Sequence, residues 1–318
     1  MKVIICYHES DMDGNCSAAI AYKYVLESIV NQNSEDIITI PMSYGQAFDF
    51  SQIDMNNDLV IFVDFVLQPF DQMLKFNPEN LIICDHHKTT IGNMASHPEF
   101  KPDGLIGDID NLQSAAELAW KFFYPNIAVP LFVQYISFYD TWRQDLPDWE
   151  EHILPFNEGI KTLLGNFEGN KSSWLDLINW SLAYEGSEEF LAYANVMSDC
   201  LRFGRHIMKH KIEENNEIIR KDSFVTEFEG YKTLALNANV PNFMTSSPTW
   251  LTGEFDIALC FIYIGGNQNS WTCHLRTDKK DIDLEKIAKK YHGGGHFSSS
   301  GFQIEKLPFE FLIKKIKN

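Results

Sequence analysis

At three places in the chain a short apolar run ends in carboxylates and imidazoles. Val3–Tyr7 leads into His8, Glu9, Ser10, Asp11, Met12, Asp13 and Gly14; Leu59–Val63 leads into Asp64; Leu81–Cys84 leads into Asp85, His86 and His87. A fourth acid, Asp140, interrupts the apolar run 136–142 at an expected helix end. Carboxylate and imidazole form a hard-to-borderline donor set suited to manganese or another divalent first-row ion. No single ion needs so many donors. Two ions about 3.5–4 Å apart sharing a carboxylate would use them, and such a pair activates water and offsets charge on a phosphoryl group. Each motif alone is weak evidence. Asp-x-Asp-Gly is commonly an ordinary turn, a His-His pair is commonly exposed or satisfied, and a lone Asp140 would read as an N-cap or a surface acid. Their shared position at the ends of successive elements points to one site.

A second group lies near the C-terminus, where Gly293, Gly294 and Gly295 precede His296, followed by Phe297, three serines and Gly301. Consecutive glycines let a backbone approach an anion closely, and amides in such a turn form a nest of donors. Arg276, the one arginine after residue 223, can hold a phosphate or carboxylate through two parallel hydrogen bonds. A plain loop and a simple strand entry are the competing readings of the glycine and serine runs.

The elements that must position these groups alternate in the first half as βαβ units do. Strands are expected at Val3–Tyr7, Ile37–Ile40, Leu59–Val63 and Leu81–Cys84, apolar enough for a parallel sheet covered on both faces. Helices are expected at Ser17–Val30, at Ser114–Phe123 behind a Ser-x-x-Glu capping pattern (Ser114, Glu117), and at Leu131–Trp142. In an open parallel sheet, ligands sit beyond the carboxyl ends of the strands, so the three acidic segments would converge. Residues 187–223 read as a charged helical connector; its basic cluster (Arg202, Arg205, Lys209, Lys211) reads as a solvated face or a partner for the acidic domain. After it the style changes to hairpins: Phe224–Phe228 with Thr233–Asn237, and Ile257–Ile264 with Ser270–Arg276 around Gly265-Gly266-Asn267. A short helix at Leu284–Tyr291, the glycine turn, and a final strand and helix follow. The expected architecture is α/β: an N-terminal parallel-sheet domain (1–186), the helical connector, and a smaller C-terminal mixed-sheet α/β domain (224–318).

Charge narrows the partners. The 318 residues carry 44 Asp+Glu against 26 Lys+Arg, net −18, with −19 falling before residue 224 and +1 after it. So acidic a chain is a poor match for long duplex nucleic acid or an anionic membrane, since affinity for such surfaces comes mainly from Lys and Arg. A processive exonuclease would need a basic, aromatic-lined groove, and no basic run exists in the N-terminal part. Six cysteines without a Cys-x-x-Cys or close pairing, several in apolar runs, read as buried thiols of a cytoplasmic protein. The N-terminal apolar run is too short for a signal-peptide core, and no stretch approaches the length of a membrane span.

Taken in order, His8-x-x-Asp11-x-Asp13-Gly14, Val63-Asp64, Asp85-His86-His87, Tyr139-Asp140 and Gly293-Gly294-Gly295-His296 resemble the motifs of the DHH phosphoesterase superfamily. The resemblance spans almost the whole chain and is to the branch with a DHH-associated C-terminal domain, which includes nanoRNases and 3′-phosphoadenosine 5′-phosphate phosphatases. It implies two Mn2+ ions, with Mg2+ or Co2+ as substitutes. His8, Asp11 and Asp64 would hold one ion, and Asp13, Asp64, His86 and Asp140 the other, with Asp64 as the bridge. His87 would touch the scissile phosphate and Asp85 would orient an imidazole. In the associated domain, which in the family faces the metals across a cleft, Arg276, Gly294, Gly295 and His296 would grip the substrate's phosphate or terminal nucleotide. His8 stands three positions before Asp11, a spacing that differs among branches, and Ser299-Ser300 replace the small apolar residues of many relatives.

The leading functional expectation is metal-dependent hydrolysis of phosphoester bonds in small nucleotides: short oligonucleotides, dinucleotides or 3′-phosphoadenosine 5′-phosphate. A cyclic dinucleotide phosphodiesterase is the alternative among enzymes. Pyrophosphate or polyphosphate hydrolysis is disfavoured, because a glycine-histidine domain has little to hold there. A non-catalytic nucleotide sensor on the same fold is the alternative from another class, weighed against by a competent ligand at every metal position. Self-association as a homodimer is left open.

Overall fold

The computed structural model describes residues 2–29, 33–43, 46–55, 57–107, 112–238, 254–265 and 269–306. The chain divides into two compact units, Met1–Ile207 and Met208–Asn318. In the first, the strands are β1 (Val3–His8), β2 (Ile37–Met42), β3 (Leu59–Val63), β4 (Leu81–Asp85) and β5 (Asp103–Ile106). They pair in parallel in the order β2-β1-β3-β4-β5. Alternation along β1 sends Val3, Ile5 and Tyr7 to one core and Ile4 and Cys6 to the other, so the sheet is buried on both faces. From β1 the chain steps outward to β2, then returns to the far side of β1 for β3. That reversal opens a crevice beyond the carboxyl ends of β1 and β3.

The first helix, α1, runs Met12–Ser28 rather than starting at Ser17. Asp11 is its N-cap, accepting from the Gly14 amide at 3.0 Å, so the Asp-x-Asp-Gly segment is a helix start and not a turn. A Cβ on Gly14 would lie 1.9 Å from the His8 carbonyl oxygen; the absent side chain lets α1 begin directly over the end of β1. After β4 and β5 come α2 (Lys88–Ser96), α3 (Ala115–Phe123), α4 (Leu131–Asp140), α5 (Leu154–Leu163) and α6 (Lys171–Ser181). The Ser114/Glu117 capping box does not form. Ser114 makes no side-chain cap bond, and Glu117 accepts instead from Ser137, Lys121 and Gln113. The long helix α7 (Glu188–Asp222) crosses the boundary between the units. Within the first unit it meets α5 at backbone distance, since a Cβ on Gly204 would fall 1.7 Å from the Pro155 carbonyl oxygen and one on Gly159 1.9 Å from that of Cys200.

The second unit holds β6 (Ser223–Phe228), β7 (Tyr231–Leu236), β8 (Ile257–Ile264), β9 (Ser270–Arg276), α8 (Leu284–Lys289), β10 (Gly294–His296) and β11 (Ser299–Ile304). The sheet order is β10-β11-β9-β8-β7-β6, with β7 and β8 parallel and the other neighbours antiparallel, so the sheet is mixed. One face packs on Leu284, Ile287 and Ala288 of α8. The helix stops at Lys289, short of the expected Tyr291. The expected final helix and most of the turn at Gly265-Gly266-Asn267 lie outside the described residues. All six cysteines are free and buried, and no described helix is long and apolar enough to cross a membrane.

The glycine contacts yield a paired prediction. Gly204→Ala forces α5 and α7 apart and is expected to cost about 1–3 kcal/mol, as overpacking does. Gly92→Ala, at a position in α2 with nothing within 4 Å of the new Cβ, is expected to stabilise by about 0.5–1 kcal/mol. Urea unfolding of the two variants checks both signs.

Candidate metal centre

Each acidic segment is aimed at the crevice by a local device. His8 is the last residue of β1, and Asp11 caps α1. Asp13, in the first turn of α1 and 1% exposed, spends both carboxylate oxygens on the start of α3: Oδ2 accepts from the Ala115 amide at 2.8 Å and Oδ1 from the Ala116 amide at 2.9 Å. An acid from another helix therefore does for α3 what Ser114 and Glu117 do not, and the helix dipole favours its charge. Asp64 follows β3 in a left-handed conformation, φ 54°, with its N–H bonded to the Cys84 carbonyl at 2.9 Å. That backbone geometry is uncommon for a side-chain-bearing residue, and Asp is among those that tolerate it best. Asp140 ends α4.

The result is one continuous cluster. His8 Nδ1 lies 2.8 Å from Asp11 Oδ2 and 3.6 Å from Asp64 Oδ2, while His86 Nε2 lies 3.4 Å from Asp64 Oδ1, 3.2 Å from Asp140 Oδ2 and 3.9 Å from Asp13 Oδ2. The two oxygens of Asp64 thus face two different sets of groups: Oδ2 faces His8, which adjoins Asp11, and Oδ1 faces His87 (3.8 Å from Nδ1) and His86, which in turn adjoins Asp13 and Asp140. Asp85 is placed differently. It is fully buried; Oδ1 accepts from the backbone amides of His86 and His87 and lies 2.7 Å from His87 Nδ1, and Oδ2 accepts from the Thr90 hydroxyl at 2.6 Å. Of the two imidazoles that follow it, Asp85 bonds the His87 ring, and at His86 it bonds only the backbone amide.

Electrostatics shows what the cluster lacks. Burial, then the charge of Asp13, pushes the Asp64 carboxyl well above the ordinary aspartate range; burial, then Asp13 and Asp64, does the same to Asp140. Burial also raises Asp13, against the opposing pull of His86, Ser114 and the Ala116 amide. Hydrogen bonds to Asp11 and Asp64 push His8 up to about 10. For Asp11, burial is outweighed by His8 and the Gly14 amide, and its carboxyl is lowered. For Asp85, burial is outweighed by His87 and Thr90, with the same result. Asp64 Oδ1 and Asp140 Oδ2 are buried and accept no hydrogen bond among the described residues. One imidazole edge at His86 cannot satisfy three carboxylates. Oxygen-rich donors, inward lone pairs and unbalanced negative charge fit divalent cations.

Several supporting residues carry no motif signal. Asn15, 3% exposed, donates to the carbonyls of Glu9 (3.0 Å) and Asp11 (2.5 Å) and accepts from the Phe167 amide (2.7 Å), fixing the loop that carries His8 and Asp11. A Cβ on Gly107 would lie 3.0 Å from His86 Cα, and the Gly107 amide bonds to the Asp85 carbonyl. Arg276, Gly294, Gly295 and His296, the expected substrate-gripping positions, lie in the second unit. In strand register Arg276 stands opposite Ser299, and Ser299 opposite His296, so the three share a row across β9, β11 and β10. Arg276 is half-buried and donates to the Leu275 carbonyl. Gly294 and Gly295 lie in β10, the latter at φ 139°, and the His296 side chain lies outside what is described.

With this geometry in place, the chain compares with known proteins as follows. Residues 2–137 match the model of the DHH family, N-terminal domain. The match takes in β1 to β5 and the segments that carry His8, Asp11, Asp13, Asp64, His86 and His87. Proteins of the family are phosphoesterases that generally use divalent metals. An uncharacterised protein of Acanthamoeba polyphaga mimivirus is 25% identical over 320 positions, covering 96% of this chain and 69% of that protein. Among solved structures, a pGpG-specific phosphodiesterase from Vibrio cholerae aligns with TM-score 0.49 and 15% identity, over 96% of this chain and 93% of that one. An exopolyphosphatase-related protein from Bacteroides fragilis aligns with TM-score 0.44 and 14% identity, over 98% and 88%.

The aspartate cluster makes metal-free stability pH-dependent. Raised carboxyls bind protons in the folded state that the unfolded chain has released, so their contribution is full below about pH 4 and is lost as pH rises through their raised values. His8 acts in the same direction, up to about 10. Without metal, the melting temperature is therefore expected to fall between pH 5 and 8. Mn2+ at a thousandfold excess over its Kd stabilises by about 4 kcal/mol per site, and the increment should be larger at pH 8 than at pH 6. Asp64→Asn should melt no lower than the metal-free parent at pH 8 and should lose most of the Mn2+ increment. Calorimetric scans with and without Mn2+ at the two pH values check all three expectations.

Proposed function

We propose that the protein hydrolyses phosphoester bonds of small nucleotides (short oligonucleotides, dinucleotides or 3′-phosphoadenosine 5′-phosphate) with two divalent ions, manganese by preference. The observation that carries the reading is Asp64, whose two oxygens face two separate donor sets from a strained backbone position at the switch point of the sheet. Ions held there would supply Lewis-acid charge to the phosphoryl oxygens and lower the pKa of the attacking water.

The remaining roles fall to the chain's own side chains. Asp85 bonds to Nδ1 of His87, which fixes the ring and leaves Nε2 as the group to meet a phosphoryl or leaving oxygen. Burial works against the His87 cation, but Asp85 and Asp64 outweigh it and hold its pKa above the ordinary value, so it can donate a proton or a charged hydrogen bond near neutral pH. In the second unit, Arg276 meets no carboxylate among the described residues and is desolvated, the state of a guanidinium suited to an anionic ligand. We assign it, with Gly294, Gly295 and His296, to a phosphate or terminal nucleotide of the substrate. Net −19 before residue 224 favours a short anion over a long one. Six unpaired buried thiols support a reducing, cytoplasmic setting.

Purified protein with Mn2+ is expected to release mononucleotide from a linear dinucleotide. Asp64→Ala should lower the rate by about 10³-fold or more, roughly 4 kcal/mol of transition-state stabilisation. Unchanged turnover in that variant would contradict the proposed bridge. Asp85→Asn is expected to lower kcat by about 10–100-fold through His87, while the Mn2+-induced rise in melting temperature persists.

A further inference from the structure

The helix that carries Asp140 ends in an unusual way. Arg143 donates its N–H to the Phe138 carbonyl at 2.9 Å and Trp142 donates to the Tyr139 carbonyl at 3.1 Å, the bond pair of a Schellman turn with Thr141 as the C-cap. The residue after the C-cap in such a turn must adopt a left-handed backbone, which glycine does without strain. Here it is Trp142, at φ 56°. A bulky aromatic in that conformation is an outlier, and an outlier of this kind argues for a use.

Burial does not account for it. Trp142 is 50% exposed, whereas Trp149 beneath it is 5% exposed. The indole stands edge-on to Trp149 (5.1 Å between centroids, 74°) and to Tyr139 (6.1 Å, 69°), and these two rings lie parallel to each other. Trp142 is therefore propped by two rings, and half of its surface is left to solvent. It also follows Asp140 by two residues, so its Cα lies within about 7 Å of that of a cluster carboxylate. The one cation in this turn, Arg143, is held by Asp145 through two bonds of 2.8 Å. What the segment offers a ligand is a π-face, not a second positive charge.

We propose that the Trp142 indole is the stacking platform for a nucleobase of the substrate, and so selects nucleotides over phosphate chains that carry no base. This rests on the phosphoesterase reading above, because it assumes that the aspartate cluster holds the neighbouring phosphate. A base on an aromatic face gains affinity without sequence preference, and removal of the face typically weakens binding about 5- to 150-fold. The platform therefore sets base against no base, and not one base against another.

The test compares Trp142→Gly and Trp142→Phe with the parent protein, using linear diadenylate and its abasic counterpart as substrates with Mn2+. Trp142→Gly suits the backbone, so its melting temperature should be unchanged or higher. Its KM for diadenylate should rise tenfold or more with kcat within twofold, while the abasic substrate is turned over as by the parent. Trp142→Phe should restore most of the lost affinity. A parental KM for diadenylate in Trp142→Gly, or an equal loss on both substrates, would overturn the proposal. If the parent protein hydrolyses neither substrate, the phosphoesterase reading fails, and calorimetric Kd values with Mn2+ decide the platform separately. Tighter binding of diadenylate than of the abasic compound, abolished in Trp142→Gly, supports it; equal binding overturns it.

Discussion

Four carboxylates, Asp11, Asp13, Asp64 and Asp140, converge at the end of a buried parallel sheet, with two imidazoles to balance them. Removing such charges from water is costly unless each finds a partner. The chain supplies part of what is needed: the start of α3 for Asp13, the Gly14 amide and His8 for Asp11. For Asp64 and Asp140 it supplies too little, and burial drives both toward the protonated state. Divalent cations would supply the positive charge that Asp64 and Asp140 lack. The adjoining Asp85 is satisfied by the chain itself, through Thr90, the His87 ring and two backbone amides.

Much of the surrounding structure serves that convergence. The strand order reverses between β1 and β3, so His8 and Asp64 leave adjacent strands at one open end. Gly14 lets α1 start against the His8 carbonyl, Asp64 takes a left-handed backbone to turn its carboxylate inward, and Asn15 ties the His8–Asp11 loop to Phe167. The site is thus built on strand ends and helix starts, which place side chains more precisely than loops do.

The site was more legible in the sequence than its supports. Acids and histidines at the ends of apolar runs announce themselves because strand period and charge change together. Helix limits were less clear: α1 begins at Met12 because Asp11 caps it, a fact hidden by the polar look of Asp-x-Asp-Gly. The Ser114/Glu117 pattern is a true match to a capping box that tertiary structure overrides, since Asp13, about a hundred residues earlier in the chain, reaches the same amides. Strand β5 has no apolar run to mark it, because Asp103 and Leu105 are exposed on a four-residue edge. Asn15 left no trace, because a single amide in a helix resembles any surface residue until its three bonds are seen. The signal at Trp142 is a backbone angle, which composition does not carry.

The central claim is that Asp64 joins two cation sites, and its most direct test is the stoichiometry of Mn2+ binding by titration calorimetry in buffers of differing ionisation enthalpy. Two ions per chain are expected, with release of protons at neutral pH as the raised carboxyls of the aspartate cluster ionise. In Asp64→Asn the tight binding of both ions should be lost, while Asp85→Asn should keep two. Two tight ions in Asp64→Asn, or a single ion in the parent protein, would contradict the account.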